Sequence, residues 1–249
     1  MKGLLVDFGG VLTSSVFESF REFCEDEGID PNSVKTLFRE NPEALGLVRS
    51  LEVGDISEEG FSREFGELLG IEDRDDLVNR MFGHIRPDEE MVEAVRRARA
   101  AGVRTGLLSN SMGAGRYDRS TFPELFDGVV ISGEVGMHKP QPEIFELACE
   151  RVGLAPADCV FVDDLRENCE GAEAIGMTAL LHRGADTTLP ELERLLGVEL
   201  RLIPWILSRR SWSSAWRPAI VDWSGEMSSR RPRTCVSSSS TLEARSRST

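Results

Sequence analysis

Apolar residues follow two rhythms along this chain. Leu4, Leu5 and Val6 run together without alternation, the pattern of a short strand buried on both faces. From Ser14 to about Phe82 the spacing turns helical. Phe17, Phe20, Phe23 and Cys24 share one face of a helix expected to end near Gly28. Pro31 sits just inside a second helix carrying Val34, Leu37 and Phe38, and a third covers Pro42 to Leu51. Ser57 is placed to cap a fourth, through Phe61, Phe65 and Leu68 to Gly70, and Asp73 a fifth ending near Phe82. The phenylalanines read as helix–helix core, with a ligand pocket as the alternative.

From Pro87 strands and helices alternate. Met91, Val92, Ala94, Val95 and Ala98 form a helical stripe ending at Gly102, and Val103 to Leu108 is a strand that runs into Ser109-Asn110-Ser111. Gly128 to Ile131 is a third strand and Pro142 to Val152 a helix. Cys159 to Val162 is a fourth strand, ending in Asp163-Asp164, followed by a helix from about Asn168 to Ile175. A strand at Thr178 to Leu181 and a helix around Leu189 to Leu196 complete the pattern. Such alternation gives a parallel sheet with right-handed crossovers. A β-α-β unit needs roughly 30 residues, yet about 90 separate Thr13 from Leu107. The economical fold class is therefore α/β: a doubly wound parallel sheet from residues 1–13 and 87–200, with an all-helical cap, 14–86, inserted after the first strand. That cap would stand over the carboxyl ends of the strands.

Composition changes the picture at the carboxyl end. Residues 201–249 hold nine of the arginines and three acids, leaving 20 basic and 40 acidic residues before them, a balance of −20 against +6. The tail also contains all four tryptophans (Trp205, Trp212, Trp216, Trp223) and thirteen serines, without periodicity after Leu207. It reads as disordered and foreign in character; a basic, tryptophan-bearing arm for a membrane or a partner is the alternative. The acidic body would repel nucleic acid. No run approaches the ~20 apolar residues of a membrane span, and the first residues show no signal-peptide pattern. Five cysteines (Cys24, Cys149, Cys159, Cys169, Cys235) lack metal-type spacing, which predicts reduced packing thiols in the cytoplasm. Oligomeric state is not legible.

Polar residues converge on the strand ends: Asp7, Ser109-Asn110, Lys139 and Asp163-Asp164. Chemistry in doubly wound sheets sits at those ends. Each residue alone has a bland reading, as a helix cap, a capping turn or a solvated charge. Lys139 is the most suggestive, because the chain has three lysines (Lys2, Lys35, Lys139) against 26 arginines. A compact ammonium fits a tight phosphate site where a guanidinium does not.

Four segments in order resemble the motifs of the haloacid dehalogenase-like hydrolase superfamily. Asp7 to Thr13 resembles the nucleophile motif and Gly106 to Asn110 the second. Gly136 to Phe145 (GMHKPQPEIF) is similar to the lysine motif, and Val160 to Met177 to the acidic one. The helical segment with Gly54-Asp-Ile-Ser-Glu-Glu59 resembles the small cap of the subgroup that includes the amino-terminal phosphatase domain of soluble epoxide hydrolases. The likeness covers about residues 1–195, and it implies a Rossmann-like core and a hydrolase.

The implied activity is a magnesium-dependent phosphatase of small phosphomonoesters, a small phosphorylated metabolite being the partner. Asp7 would attack phosphorus and become an aspartyl-phosphate. Mg2+ would bridge it to the phosphate, held by Asp7, the carbonyl of Gly9 and Asp164, with Asp163 orienting Lys139 or the metal's waters. Ser109, Asn110 and Lys139 would hold the phosphoryl oxygens. The chain departs from the pattern at Gly9, where most phosphatases of the superfamily carry a second Asp as proton shuttle. Two alternatives follow: a metal-independent 2-haloacid dehalogenase, which also lacks that Asp but generally presents no Asp-Asp pair, and a catalytically weak phosphate-binding or regulatory protein. Gly9 also predicts a steep leaving-group dependence unless another group supplies the proton, and His138 is the nearby candidate.

Overall fold

The structure, a computed structural model, describes residues 2–111, 117 and 119–201. Its centre is strand β1 (Gly3–Val6), flanked by β2 (Arg104–Ser109) and β4 (Cys159–Asp163), with β3 (Gly128–Ile131) and β5 (Thr178–Leu181) outermost. All pairings are parallel, in the order β3-β2-β1-β4-β5. The chain winds outward from β1 to β3 and then returns to the other side of β1. The β1–β4 boundary is thus the topological switch, where a crevice opens at the carboxyl ends.

Side chains on a strand alternate between faces, which explains the unalternating apolar runs. Leu4 and Val6 of β1, with Val160 and Val162 of β4, point to one apolar cluster. It is completed by α6 (Glu89–Ala100), α7 (Phe122–Leu125) and α11 (Ala185–Leu196). Leu5 and Phe161 point to the opposite cluster, under α9 (Pro142–Val152) and α10 (Arg166–Ala174). A sheet covered on both faces needs apolar residues at every position, and that is what the sequence supplies. The described cysteines Cys24, Cys149, Cys159 and Cys169 are free and buried.

Between β1 and α6 lie α1 (Val16–Asp26), α2 (Ser33–Glu40), α3 (Pro42–Glu52), α4 (Glu58–Leu69) and α5 (Leu77–Phe82). They pack around a cluster of their own that includes Phe20, Phe23, Phe61, Phe65 and Met81. The chain leaves the sheet and re-enters it at one place: Thr13 and Pro87 form an antiparallel bridge, and the Ser14 amide donates to the Arg86 carbonyl at 2.7 Å. Caps set the starts of these helices. Asn41 Oδ1 accepts from the Glu43 amide at 2.9 Å, and Ser57 Oγ from the Gly60 amide at 3.1 Å.

Several boundaries differ from expectation. The fifth helix begins at Leu77, because Asp73 Oδ1 turns onto the Asp75 amide at 3.1 Å and Asp76 takes a left-handed conformation with φ 52°. The second begins at Ser33, with Pro31 outside it. The last begins at Ala185, four residues before Leu189, and carries Pro190 inside; its first turn closes where the Thr188 amide donates to the Gly184 carbonyl at 3.1 Å. A short helix, α8 (Ser132–Val135), follows β3 directly. Of the stretch 201–249 only Arg201 is described, its guanidinium 2.7 Å from Glu193; the expectation for the rest lies outside the described residues. Among the described residues no helix is long and apolar enough to cross a membrane.

Candidate active site

The crevice at the β1–β4 boundary holds the predicted residues. Asp7 follows β1, its amide donating to the Val162 carbonyl at 2.9 Å, so the two central strands stay paired up to the site. Lys139 Nζ lies 2.8 Å from Asp7 Oδ1 and 2.7 Å from Asp163 Oδ2. The ammonium is buried between two carboxylates, and with its side chain 1% exposed Lys139 is not a solvated loop charge.

Asp163 is held from every side. Asn168 Nδ2 donates to both of its oxygens at 3.0 Å, and the Leu165 amide donates to Oδ1 at 2.8 Å. With Lys139 added, its acceptor capacity is committed. Asp164, the next residue, points differently, as alternation at a strand end requires, and lines the cavity beside Asp7. Gly10 makes this approach possible. Its φ is +77°, and a Cβ there would fall 2.5 Å from Asp164 Oδ2.

Ser109 ends β2 and Asn110 follows it. Asn110 clamps the lysine loop through its side chain: the Lys139 amide donates to Oδ1 at 2.9 Å, and Nδ2 donates to the Lys139 carbonyl at 3.2 Å. Ser109 Oγ pairs with the hydroxyl of Tyr117 at 2.9 Å. Sequence reasoning missed Tyr117, although it is the chain's one tyrosine. His138 does not face the site. Its Nδ1 lies 2.8 Å from the Lys139 carbonyl, and the residue is outside the lining of the cavity that holds Asp7.

Burial and mutual repulsion raise the cost of charge in this group. Burial pushes the Asp7 carboxyl up to about 7 against the pull of Lys139, with Asp163 adding to the rise. Burial and then Asp163 push Asp164 up to about 6. Burial alone would lower Lys139, but Asp163 and Asp7 reverse this and hold its ammonium above the usual lysine range. Three carboxylates thus share one cation, and a further positive charge beside Asp7 and Asp164 would offset the cost of ionising those two. Asp7, Asp163 and Asp164 each offer an oxygen within 4.8 Å of the others. Since Asp163 is committed to Lys139 and Asn168, Asp7 and Asp164 are the carboxylates free to take a metal. An all-oxygen, hard donor set beside solvent suits Mg2+.

Above these residues lies a cavity of about 590 Å³. Its floor is Asp7, Ser109, Asn110, Lys139 and Asp164, and its helical wall includes Val16, Phe17, Phe20, Phe38, Leu45 and Phe82. Phe20 and Phe82 therefore serve core and wall together. Phe17, expected to be core, is 40% exposed at the rim. Another wall residue went unforeseen: Glu52, the last residue of α3, lines the same cavity. Its carboxyl is pushed up to about 7 by burial, against the pull of His138 and Lys139.

A five-stranded parallel sheet with a buried aspartate–lysine–aspartate group at its switch point is a Rossmann-like α/β core with ionisable side chains gathered at its carboxyl edge. Residues 1–176 match the haloacid dehalogenase-like hydrolases, and the chain belongs to that family. It is 28% identical over 210 residues to mouse (Mus musculus) acyl-CoA dehydrogenase family member 10, a match covering 81% of this chain but 20% of that protein. It is 28% identical to the sesquiterpene phosphatase astK of Aspergillus oryzae, across 59% of this chain and 77% of the relative. Other matching relatives bear phosphatase and 2-haloacid dehalogenase names. Among solved structures, an aspartate-to-alanine mutant of a family enzyme from Bacteroides thetaiotaomicron, in complex with magnesium and inorganic phosphate, is 26% identical with a TM-score of 0.54. That match covers 72% of this chain and 93% of the other.

Proposed function

We propose that this hydrolase is a magnesium-dependent phosphatase of phosphomonoesters, working through an aspartyl-phosphate on Asp7, and that helices α1–α5 act as its cap. The observation that carries the reading is the three-carboxylate, one-ammonium group at the strand ends. With all three carboxylates ionised the group carries a net charge of −2, which one divalent cation would offset, so that a phosphate dianion could approach Asp7. Asp7, the carbonyl of Gly9 and Asp164 would hold the metal, which when bound offsets the repulsion between a carboxylate nucleophile and a phosphate.

The chain's own residues do the rest. Asp163 and Asp7 fix Lys139 so that its ammonium meets a phosphoryl oxygen without reorganising. Ser109 and the backbone of Asn110 take the remaining oxygens. Tyr117, on Ser109, and the Asn110 side chain, on the Lys139 backbone, keep those donors in place. The apolar helical wall excludes water from the phosphoryl group and selects an organic part that is itself largely apolar; the phosphatase name of the Aspergillus relative is in keeping with this. Buried, unpaired thiols support a reducing compartment such as the cytoplasm.

The dehalogenase reading leaves Asp164 beside Asp7 with only Lys139 and Arg183 pulling against the cost of its burial, and so fits the site less well. Gly9 favours a second reading, a phosphate-binding protein with little turnover. One experiment separates them: a panel of aryl and alkyl phosphomonoesters, with a 2-haloacid as control, assayed in EDTA and in Mg2+. Turnover of phosphomonoesters that EDTA removes and Mg2+ restores is the expected result. Chelator-resistant release of halide would establish the dehalogenase, and phosphate binding without turnover the binding protein.

A further inference from the structure

Gly9 leaves this site without the carboxylic acid that would protonate the leaving oxygen. A further carboxyl, that of Glu52, lines the same cavity. Glu52 is the C-terminal residue of α3 and lines the cavity together with Asp7, Lys139 and Asn110. It is tied to the sheet rather than to the helices alone. Its carbonyl accepts from Ser132 Oγ at 2.6 Å, and that hydroxyl in turn accepts from the Ser111 amide at 2.8 Å. The Glu52 backbone is therefore tied to Ser132, which follows β3, and through it to Ser111 beyond the end of β2, beside Ser109 and Asn110 that line the same cavity.

We propose that Glu52 is the proton-transfer residue of this site, giving a proton to the leaving oxygen and later taking one from the attacking water. The inference rests on the phosphatase reading above. In the first step an Asp7 oxygen bonds to phosphorus and the bond to the leaving oxygen breaks. The departing electron pair takes the Glu52 proton, releasing a neutral alcohol. In the second step the Glu52 carboxylate accepts a proton from water as the water oxygen bonds to phosphorus. The bond from phosphorus to Asp7 breaks, the pair returns to the Asp7 carboxylate, and both residues are restored.

The other candidates are otherwise engaged. His138 is turned onto a carbonyl, Tyr117 is paired with Ser109, and Glu167 is exposed at the cavity rim. Glu52 also sits where protonation near neutral pH is favoured. Burial raises its pKa to about 7 while His138, Lys139 and Arg49 of its own helix pull the other way; Tyr117 is its neutral neighbour. The carbonyl end of α3 adds further resistance to a negative charge.

The test is a leaving-group series, from 4-nitrophenyl phosphate to simple alkyl phosphates, on wild type, Glu52→Gln and Glu52→Asp. Wild type should show a shallow dependence of kcat/KM on leaving-group pKa. Glu52→Gln should lose roughly 10²-fold or more on alkyl phosphates and little on 4-nitrophenyl phosphate, with the loss of the alkaline limb near pH 7. Glu52→Asp, which keeps a carboxyl, should recover part of the alkyl activity. A steep dependence in wild type overturns the proposal without any variant. So does a Glu52→Gln protein that loses equally on both substrate classes, or on neither. Absence of phosphomonoester turnover in wild type is a distinct outcome: it sinks the phosphatase reading and this inference with it.

Discussion

Lys139 sits 2.8 Å from Asp7, and both side chains are nearly sealed from water. A pair this buried is a poor source of stability but a good way to fix a geometry. The ammonium has a second carboxylate, Asp163, at 2.7 Å, so Asp7 can change its bonding without leaving the cation unpaired. This is the arrangement a nucleophile needs if it is to acquire a phosphoryl group and lose it again.

The first prediction removes the nucleophile. Asp7→Asn should lower phosphatase turnover by at least about 10³-fold with the fold intact, because Lys139 keeps Asp163. Circular dichroism and a thermal melt check the fold; activity within tenfold of wild type would refute the assignment of Asp7.

A second prediction concerns Lys139 as a structural part. Lys139→Met leaves Asp163 buried and uncompensated, at a cost of about 3–5 kcal/mol and a fall in Tm of roughly 10 °C. Adding Asp163→Asn should recover more than half of that loss while activity stays absent. A melt of the two variants side by side decides it, and equal Tm values would show that the pair carries no such coupling.

Much of this was visible in the residues. The apolar runs at Leu4–Val6 and Cys159–Val162 named the central strands, because a sheet covered on both faces admits little else. The polar residues that end those runs landed together because parallel strands bring their carboxyl ends to one edge. Glu52 and Tyr117 were not visible. Each reaches the site through tertiary packing, Glu52 from the end of a helix tied to Ser132, and Tyr117 from a segment with no periodic pattern. Phe17 departs from the core its spacing predicts, because helical spacing shows which face is apolar, not whether protein or a cavity covers it.

The third prediction is a pH dependence of stability in the metal-free protein. Asp7, Asp164 and Glu52 have folded pKa values of about 7, about 6 and about 7, above their ordinary 3.8, 3.8 and 4.5. An acid held above its unfolded pKa stabilises the fold below the unfolded value, and that contribution is lost as pH rises to the folded one. The protein in EDTA should therefore lose Tm between about pH 4 and pH 7. Mg2+ should restore it most at pH 8, where Asp7 and Asp164 are ionised, and hardly at pH 5. A magnesium effect on Tm that is the same at both values would argue against Asp7 and Asp164 as its ligands.

The last prediction returns the missing acid to its usual place. A Cβ on Gly9 would lie 2.9 Å from Cγ2 of Val16, closer than a carbon pair tolerates, so Gly9→Asp alone should be strained and gain nothing. Val16 is the first residue of α1 and lines the same cavity. Trimming it with Val16→Ala opens the direction in which the new carboxyl would point. In a protein already carrying Glu52→Gln, the pair Gly9→Asp with Val16→Ala should regain alkyl phosphate turnover by about tenfold or more, whereas either change alone should not. The control is Gly9→Asn with Val16→Ala, which fills the same space without a proton to give. Equal recovery by the asparagine version would mean that packing, not proton transfer, limits the alkyl substrates.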